Sequence, residues 1–330
     1  MAEFLTFDTD LTAVANAIRV KGGTSAQLIY PSGFVSAIQA IQTGITPKLV
    51  VTTTPGAAIT ATPAEGFKVV KGTAGADGMC TLELPKAGTW HVTAMANSVS
   101  NSQHIVIGTQ NMLLPLYHDT FANNTWEEII TVCRTGIAPD SWAVGDSKTM
   151  NIGGTAYQVD IIGKNHDEYA DGSGTAPLTF QLHDCYSEAK QMYSTNLSGL
   201  GWKNTDMRLT YLPAILALMP AEVKNGIHAV NKKTSEGGNS TTIETVSDTL
   251  FLLSEAEIFG TASSSVAGEG SQYDYYKAGN PKIKKREGVD EFWWERSSAS
   301  GGMFCRVRAN GQAGASNASS SLGVSFAFCF

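Results

Sequence analysis

The amino-acid sequence predicts a multidomain protein with a short N-terminal helical hairpin (residues 1–46), a β-sandwich (residues 47–108) and an α+β domain (residues 112–330). Three observations predict this division. Apolar residues recur at helical spacing near the N-terminus, the period changes to two after Pro47, and both patterns mix beyond residue 112. The 330 residues are enough for two or three domains, each with its own hydrophobic core.

Composition and charge exclude several classes of protein. The formal net charge is −7 and the only basic run, Lys282 to Arg286, is typical of a solvated loop, so we expect no nucleic-acid partner. No stretch approaches the roughly 20 apolar residues of a membrane span, and the N-terminus lacks the layout of a secretory signal, so we expect no membrane insertion. The five cysteines are widely spaced, which favours free buried thiols over disulfides or zinc.

The N-terminal segment contains two predicted helices. The first is capped by Asp8 to Asp10 and carries apolar residues such as Leu11 and Ile18 at helical spacing until Gly22. The second runs for about two and a half turns between Ser32 and Gly44. Helices this short are marginal alone, so we interpret residues 1–46 as an attachment or oligomerisation segment. A hairpin packed on its own chain remains the alternative.

Residues 47–108 alternate between apolar and polar side chains in short runs such as residues 49–53 and 90–94. Turn-forming residues at 72–78 and 86–88 separate these runs and predict hairpin connections. We expect a sandwich of six or seven strands. His91 and His104 stand singly in strand-like runs and are interpreted as structural, so this domain is predicted to be a spacer rather than a catalyst.

The α+β region opens with a helix capped by Asn124-Thr125, followed by a hairpin centred on Gly153-Gly154. A long helix is predicted from Asp206 through Met219, in which Pro213 marks either a kink or a first turn. A short apolar strand is expected at residues 250–253.

A catalytic or metal site could be drawn from His166-Asp167, Asp171 and His183-Asp184. Adjacent residues of a strand point to opposite faces, and none of these side chains has the spacing of a known metal-binding motif. No nucleophile elbow, phosphate-binding loop or dinucleotide motif is present. We interpret these groups as structural and predict no enzyme activity, no cofactor and no bound metal.

The C-terminal segment has the most unusual composition of the chain. Of residues 297–325, 20 of 29 are Ser, Ala, Gly or Asn. Aromatic clusters bracket this stretch, and Phe304, Cys305 and Val307 lie within it. Because these apolar side chains have to be buried, they would hold both ends and the middle of the segment in a fold. Small polar residues with a few Arg and aromatic side chains are also typical of adaptable recognition surfaces.

Several motifs of this region carry a resemblance to a known family: Trp293-Trp294-Glu295-Arg296-Ser297, Phe304-Cys305-Arg306-Val307, Asn310-Gly311 and the terminal Gly-Val-Ser-Phe-Ala-Phe. They resemble the C-terminal variable repeat of proteins that are diversified by retroelements and have a C-type-lectin-like fold. Residues 11–41 are similar to the N-termini of tail structural proteins of phages that infect Gram-positive bacteria. Residues 47–108 resemble the Ig-like spacers of such proteins.

The resemblance implies a phage tail receptor-binding protein, made in the bacterial cytoplasm and carried on the virion as a homotrimer. Its N-terminal helices would attach to tail or baseplate proteins, and its variable segment (about residues 295–325) would bind a host cell-surface receptor, either protein or glycan. The candidate ligand-binding residues are Ser298, Ser300, Gly302, Met303, Arg306, Arg308, Ala309, Gly314, Ser316 and Leu322. The candidate flanking aromatic residues are Tyr273, Tyr275 and Trp294.

Two alternatives from other classes remain open. The first is a fixed structural component of a tail fibre or baseplate. The second is an enzyme of the formylglycine-generating type, which would need a paired cysteine site or a bound metal. Cys305 and Cys329 are the only thiols in the C-terminal segment.

Overall fold

The computed structural model describes residues 8–22, 47–64, 68–85, 87–107, 110–197, 199–238 and 240–330. The chain divides into two compact units, unit 1 (residues 1–116) and unit 2 (residues 117–330). The described residues form several small sheets and few helices, which confirms a multidomain, β-rich protein. None of the described helices has the length and apolar character needed to cross a membrane.

Helix α1 (Asp8–Gly22) lies where the sequence predicts the first helix. Ala15 and Ile18, which belong to its apolar stripe, are buried, whereas Val14 of the same stripe is about half exposed. The second predicted helix, residues 32–44, lies outside the described residues.

Unit 1 contains two sheets that share one hydrophobic cluster. Their orders are β4-β1-β7 and β3-β2-β5-β6. The strands are β1 (Lys48–Thr52), β2 (Ala58–Pro63), β3 (Val70–Thr73), β4 (Met79–Glu83), β5 (Gly88–Ala96), β6 (Val99–Ile107) and β7 (Gln110–Leu113). Alternate residues of each sheet enter the cluster, for example Leu49 and Val51 from one and Trp90 and Val92 from the other. His91 and His104 are opposite each other on β5 and β6, and their rings stack with centroids 4.5 Å apart.

The boundary of this unit differs from the predicted one. Strand β7 pairs in parallel with β1, and the Leu114 N–H donates to the Thr52 carbonyl at 2.9 Å. Leu114 and Leu116 are buried in the same cluster as the two sheets. The unit therefore ends after Leu116 rather than between residues 108 and 112, because a strand beyond the last predicted one pairs with the edge of β1.

Unit 2 contains a four-stranded sheet (β18-β10-β9-β8), a three-stranded sheet (β15-β16-β17) and two hairpins, β11-β12 and β13-β14, among its described residues. Its strands are β8 (Ser147–Ile152), β9 (Thr155–Lys164), β10 (Leu178–Leu182), β11 (Val230–Ser235), β12 (Ile243–Asp248), β13 (Lys284–Arg286), β14 (Val289–Glu291), β15 (Trp293–Ser298), β16 (Met303–Val307), β17 (Ala313–Asn317) and β18 (Ala327–Cys329). Its α-helices are α2 (Trp126–Cys133), α3 (Leu212–Leu218), α4 (Ala221–Gly226), α5 (Glu255–Phe259) and α6 (Asp274–Lys277).

Three predicted elements of unit 2 are confirmed. Helix α2 begins with a capping box, in which Thr125 Oγ1 accepts from the Glu128 N–H at 3.1 Å and the Thr125 N–H donates to Glu128 Oε2 at 2.7 Å. The β8-β9 hairpin turns at Gly153-Gly154, both with positive φ. The long helix begins as a π-helix (Met207–Tyr211) and continues as α3, with Pro213 in the first turn of α3, where its missing N–H removes no α-helical hydrogen bond.

The strand predicted at residues 250–253 is wrong. Among these residues only Phe251 forms a bridge, with Ala327 of β18. All four are buried, but the carbonyls of Leu252 and Leu253 accept hydrogen bonds from the side chain and the backbone N–H of Arg296, at 2.9 and 2.8 Å. These two acceptors therefore bind the side chain and the backbone of Arg296 and do not form a sheet ladder over the whole run.

The core of unit 2 is centred on aromatic side chains from distant parts of the chain. Phe180 of β10 packs with Phe121, Phe328 and Phe330, at ring-centroid distances of 5.2–5.9 Å. Trp293, Trp294, Phe304 and Phe326 belong to the same cluster. The C-terminal segment is therefore part of the core and not an appended tail.

Candidate ligand-binding surface

Strand β15 anchors the C-terminal segment. All six of its residues are buried, and it pairs with β16 so that Trp293 is opposite Val307 and Trp294 opposite Arg306. The indole N–H of Trp293 donates to the Lys282 carbonyl at 2.9 Å, and that of Trp294 to the Lys190 carbonyl at 2.8 Å. Because both indole N–H groups are satisfied, the two tryptophans are held in fixed orientations.

Strands β16 and β17 and the adjoining loops carry most of the predicted contact residues. Eight of the ten reach solvent at least in part, and we call these eight the display surface. Ser300 and Arg308 are exposed. The half-buried members are Gly302, Met303, Arg306, Ala309, Ser316 and Leu322.

Two predicted contact residues are buried, and their prediction as contacts is wrong. Ser298 is 2% exposed, and its hydroxyl donates to the Gly238 carbonyl at 3.4 Å. Gly314 is covered by Arg308, whose Nε atom would lie only 2.8 Å from a Cβ atom at that position. Ser298 is buried because it is the last residue of the buried strand β15, and Gly314 is buried because the side chain of Arg308 covers it.

The three candidate flanking aromatic residues are also buried. Tyr273 and Trp294 are fully buried and Tyr275 is 8% exposed, because their rings pack in the core of unit 2. The aromatic ring that does reach the display surface belongs to Phe292, which is 38% exposed and lies 4.2 Å from the guanidinium carbon of Arg306. The only sequence signal for Phe292 is its position in a run of three aromatic residues.

Along the chain, buried apolar residues alternate with the residues of the display surface. Phe304, Val307, Ala318, Val324 and Phe326 are fully buried. The loop after β16 is closed by hydrogen bonds of 2.7 Å, from the Arg308 N–H to the Gln312 carbonyl and from the Gly311 N–H to the Arg308 carbonyl. The exposed positions therefore lie on a backbone that is held on both sides.

A loop outside the C-terminal segment borders the display surface. Asn196 Oδ1 accepts hydrogen bonds from the backbone N–H and the hydroxyl of Ser319, at 3.3 and 2.5 Å. A Cβ atom at Gly302 would lie 2.5 Å from the Asn196 carbonyl oxygen, so the close approach requires glycine. Leu197 and Leu200 of this loop are about half exposed. No pattern in the sequence indicated this contact.

A buried ionic network supports β15. Arg296 is fully buried and donates from both terminal nitrogens to Glu257, at 2.5 and 2.9 Å. Lys232 lies 2.7 Å from Glu257 and 2.6 Å from Asp167. Burial raises the pKa of Glu257, but the charges of Arg296 and Lys232 outweigh this effect and hold it below its ordinary value.

The Gly/Ser-rich loop at residues 260–270 is attached to β15 through Glu255. The carboxylate of Glu255 accepts hydrogen bonds from the backbone of Ser263, Ser264 and Ser265 at 2.9–3.1 Å. Its backbone N–H donates to the Ser297 hydroxyl at 2.9 Å. Burial raises the pKa of Glu255, but hydrogen bonds to its charged form, first from the hydroxyls of Ser263 and Ser265 and then from the backbone of Ser264 and Ser265, lower it overall.

Glu295 is the exception in this region, because it is fully buried and neither carboxylate oxygen has a hydrogen-bond partner. Burial, followed by the negative charges of Glu255 and Glu269, raises the pKa of Glu295 well above 4.5. The folded protein therefore binds a proton that the unfolded chain releases at lower pH.

The pH dependence of stability tests this assignment. Since the folded-state pKa is raised, the contribution of Glu295 is fully present below its unfolded pKa and is lost as the pH rises through the folded value. We expect Glu295→Gln to become more stable relative to wild type as the pH is raised from about 5 to about 9, measured by chemical denaturation. Glu222→Gln removes the same charge from an exposed helix and reports the effect of net charge alone. Parallel pH profiles for Glu295→Gln and wild type would contradict the assignment.

The carboxylates and histidines singled out from the sequence have structural partners. His183 Nδ1 lies 2.7 Å from Asp160 Oδ2, Asp184 accepts from the Lys285 N–H at 2.7 Å, and Asp171 accepts from the Ser173 N–H at 2.9 Å. These hydrogen bonds agree with the structural interpretation.

His166 and Asp167 differ from the prediction in one respect. They follow β9 instead of lying within a strand, and His166 Nδ1 is 3.7 Å from Asp167 Oδ2, so the two side chains do not point to opposite faces. They border a cleft of about 520 Å³ whose charged floor, Lys232, Asp167 and Glu257, is paired internally. Among the residues that the structure describes, no group of three His, Cys, Asp or Glu side chains is arranged to hold a metal ion.

All five cysteines are free and buried, as predicted. Cys305 Sγ lies 3.9 Å from Glu255 Oε2, and Cys329 Sγ lies 3.7 Å from Asp167 Oδ2. Burial raises the pKa of both thiols, and the next causes are Glu295 followed by Glu255 for Cys305 and Asp167 for Cys329. Protonated, buried thiols are poor nucleophiles.

Comparison with known families finds a match to part of the chain. The family model described as "Domain of unknown function (DUF6273)" matches residues 179–330, which begin within β10 and include the whole display surface. The match covers less than half of the 330-residue chain. No curated protein and no solved structure matches the sequence.

Proposed function

We propose that unit 2 is a C-type-lectin-like domain that binds a host cell-surface receptor through its display surface, and that the protein is a phage tail receptor-binding protein diversified by a retroelement. One observation carries the proposal. Within residues 297–325, small or flexible side chains reach solvent while Phe304, Val307 and Val324 are fully buried. A surface built in this way can vary without disturbing the core below it.

The remaining parts of the proposal rest on the resemblance of the sequence. Unit 1 acts as an Ig-like spacer, and the N-terminal helices attach the protein to tail or baseplate proteins of the virion. A homotrimer presents several display surfaces to one cell, and linked weak contacts raise the overall affinity by about 10²–10⁴. The alternative of a fixed tail fibre or baseplate component shares this architecture but has no variable surface.

Sequencing tests the two proposals against each other. The coding segment for residues 295–325 is read in many isolates grown from one ancestor, together with any near-identical template copy nearby. We expect substitutions at the display surface, concentrated at template adenines, with Trp293, Phe304, Val307 and Phe328 unchanged. An invariant segment without a template copy would overturn diversification and favour the fixed structural component.

Stability measurements test whether the surface tolerates change. Ser300→Tyr and Ser316→Tyr are expected to change the free energy of unfolding by less than about 0.5 kcal/mol, because both positions reach solvent. The matched variant Ser298→Tyr is expected to lower it by about 1–3 kcal/mol, because Ser298 is buried. Equal losses at the three positions, measured by denaturation of the full chain, would contradict the separation of surface and core.

A further inference from the structure

The charge of the C-terminal segment differs from that of the rest of the chain. The chain carries a net charge of −7, yet residues 297–330 contain no Asp or Glu and two arginines, Arg306 and Arg308. Both arginines belong to the display surface. Any acidic side chain that compensates the positive charge of these two arginines therefore has to come from another part of the chain.

The fold brings these two arginines together. Arg306 lies in β16, and Arg308 directly follows the last residue of that strand. Gly314 lies opposite Arg306 on β17, and the space that a Cβ atom would occupy there is taken by Arg308. Burial and, secondly, the charge of Arg308 lower the pKa of Arg306, as expected for adjacent guanidinium groups.

Neither guanidinium is compensated by an acidic side chain. In the described parts of the chain, no carboxylate forms an ion pair with Arg306 or Arg308. Arg306 donates its Nε–H to the Ala315 carbonyl at 3.2 Å and stacks on Phe292, while its buried Nη1 has no hydrogen-bond partner. Two positive charges that lie close together and partly away from water repel each other, and a bound anion relieves this repulsion.

The nearby basic run shows the contrast. Lys285 is paired with Asp290 at 2.6 Å and Arg286 with Glu291 at 2.8 Å. Lys284 is buried and donates to the carbonyls of β10 and its end, Leu182 and His183. Lys284, Lys285 and Arg286 therefore have partners within the protein. Arg306 and Arg308 on the display surface, by contrast, are available to bind an external group.

We propose that Arg306 and Arg308 form an oxyanion-binding site that takes the phosphate or carboxylate groups of an acidic host-surface polymer. The planar guanidinium of Arg308, which is exposed, matches both kinds of oxyanion through paired N–H donors, and Arg306 adds a second positive charge beside it. Phe292 stacks on the guanidinium of Arg306, and the closed loop after β16 fixes the backbone of Arg308. This inference rests on the proposed receptor-binding function and specifies the chemistry of the receptor.

Binding to model polymers tests the site. The full chain is titrated with inorganic polyphosphate and with poly-L-glutamate, and neutral dextran serves as the control ligand. We expect binding to at least one polyanion, with the polymer that binds identifying phosphate or carboxylate as the preferred group. Arg306→Gln/Arg308→Gln is expected to weaken this binding by at least about tenfold. Salt at about 0.5 M is expected to weaken wild-type binding as well.

The control variant Lys224→Gln/Lys277→Gln removes the same charge from exposed positions in unit 2 and is expected to bind like wild type. Arg308→Gln is measured alone too, because Arg308 is exposed and its replacement leaves the packing of Arg306 on Phe292 in place. The proposal is overturned if wild type binds neither polyanion, if both arginine variants bind like wild type, or if the lysine control loses as much affinity.

These results are independent of the sequencing experiment. Arginine-dependent binding with an invariant coding segment would keep the oxyanion site and reject diversification. A diversified segment without polyanion binding would reject the oxyanion site alone.

Discussion

Replacing Arg296 by methionine is expected to lower the free energy of unfolding of unit 2 by about 3–5 kcal/mol. The variant keeps a side chain of similar length but leaves the buried Glu257 with Lys232 as its remaining cation. It also removes the hydrogen bonds from Arg296 to the carbonyls of Leu252 and Glu269, of which the second keeps the Ser254 hydroxyl as a donor. Buried groups that lose their partners cost more than exposed ones, because no water replaces the lost contact.

Denaturant unfolding followed by tryptophan fluorescence is a suitable measurement, since five of the six tryptophans lie in unit 2. Arg286→Met is the matched control, because its ion pair with Glu291 is partly exposed and is expected to contribute about 1 kcal/mol or less. The double variant Arg296→Met/Glu257→Gln is expected to lose less than the sum of the two single losses. Additive losses, or a loss no larger than that of Arg286→Met, would show that the network does not act as a unit.

Replacing Trp294 by alanine is expected to lower the free energy of unfolding by about 3–5 kcal/mol. Its ring is fully buried in the core cluster, and its indole N–H donates to the Lys190 carbonyl at 2.8 Å. The variant leaves a cavity beside Arg306, its cross-strand neighbour, and removes one of the two hydrogen bonds that the Lys190 carbonyl accepts, the other coming from the Leu322 N–H. This result separates a core position from the receptor platform that the sequence suggested.

Phe292→Ala provides the comparison, because its ring is 38% exposed and supports Arg306. We expect a loss of less than about 2 kcal/mol in stability together with weaker polyanion binding. The same denaturation assay applies to both variants. The assignment of Trp294 to the core and Phe292 to the surface would be contradicted if Trp294→Ala kept wild-type stability while Phe292→Ala unfolded the protein.

Helix caps, turns and single strands were predictable because the sequence patterns that specify them span only a few residues. The N-cap at Thr125, the glycine pair at residues 153–154 and the alternation in unit 1 each specify backbone geometry within a few residues. The prediction of a strand at residues 250–253 was wrong because an apolar run of this composition is typical of a buried strand and equally of a buried segment whose carbonyls accept hydrogen bonds from Arg296. Strand β7 was missed because its pairing partner, β1, is about 60 residues earlier.

The sequence by itself determined that unit 2 ends in a segment of small polar residues punctuated by apolar anchors, and therefore which part of the chain could carry a variable surface. Only the tertiary structure decided which side chains reach that surface. Tyr273, Tyr275, Trp294, Ser298 and Gly314 proved buried, and Phe292 proved partly exposed. Burial, the pairing of Arg296 with Glu257, and the unpaired state of Arg306 and Arg308 depend on residues distant in sequence, because burial and charge compensation are properties of three-dimensional neighbours.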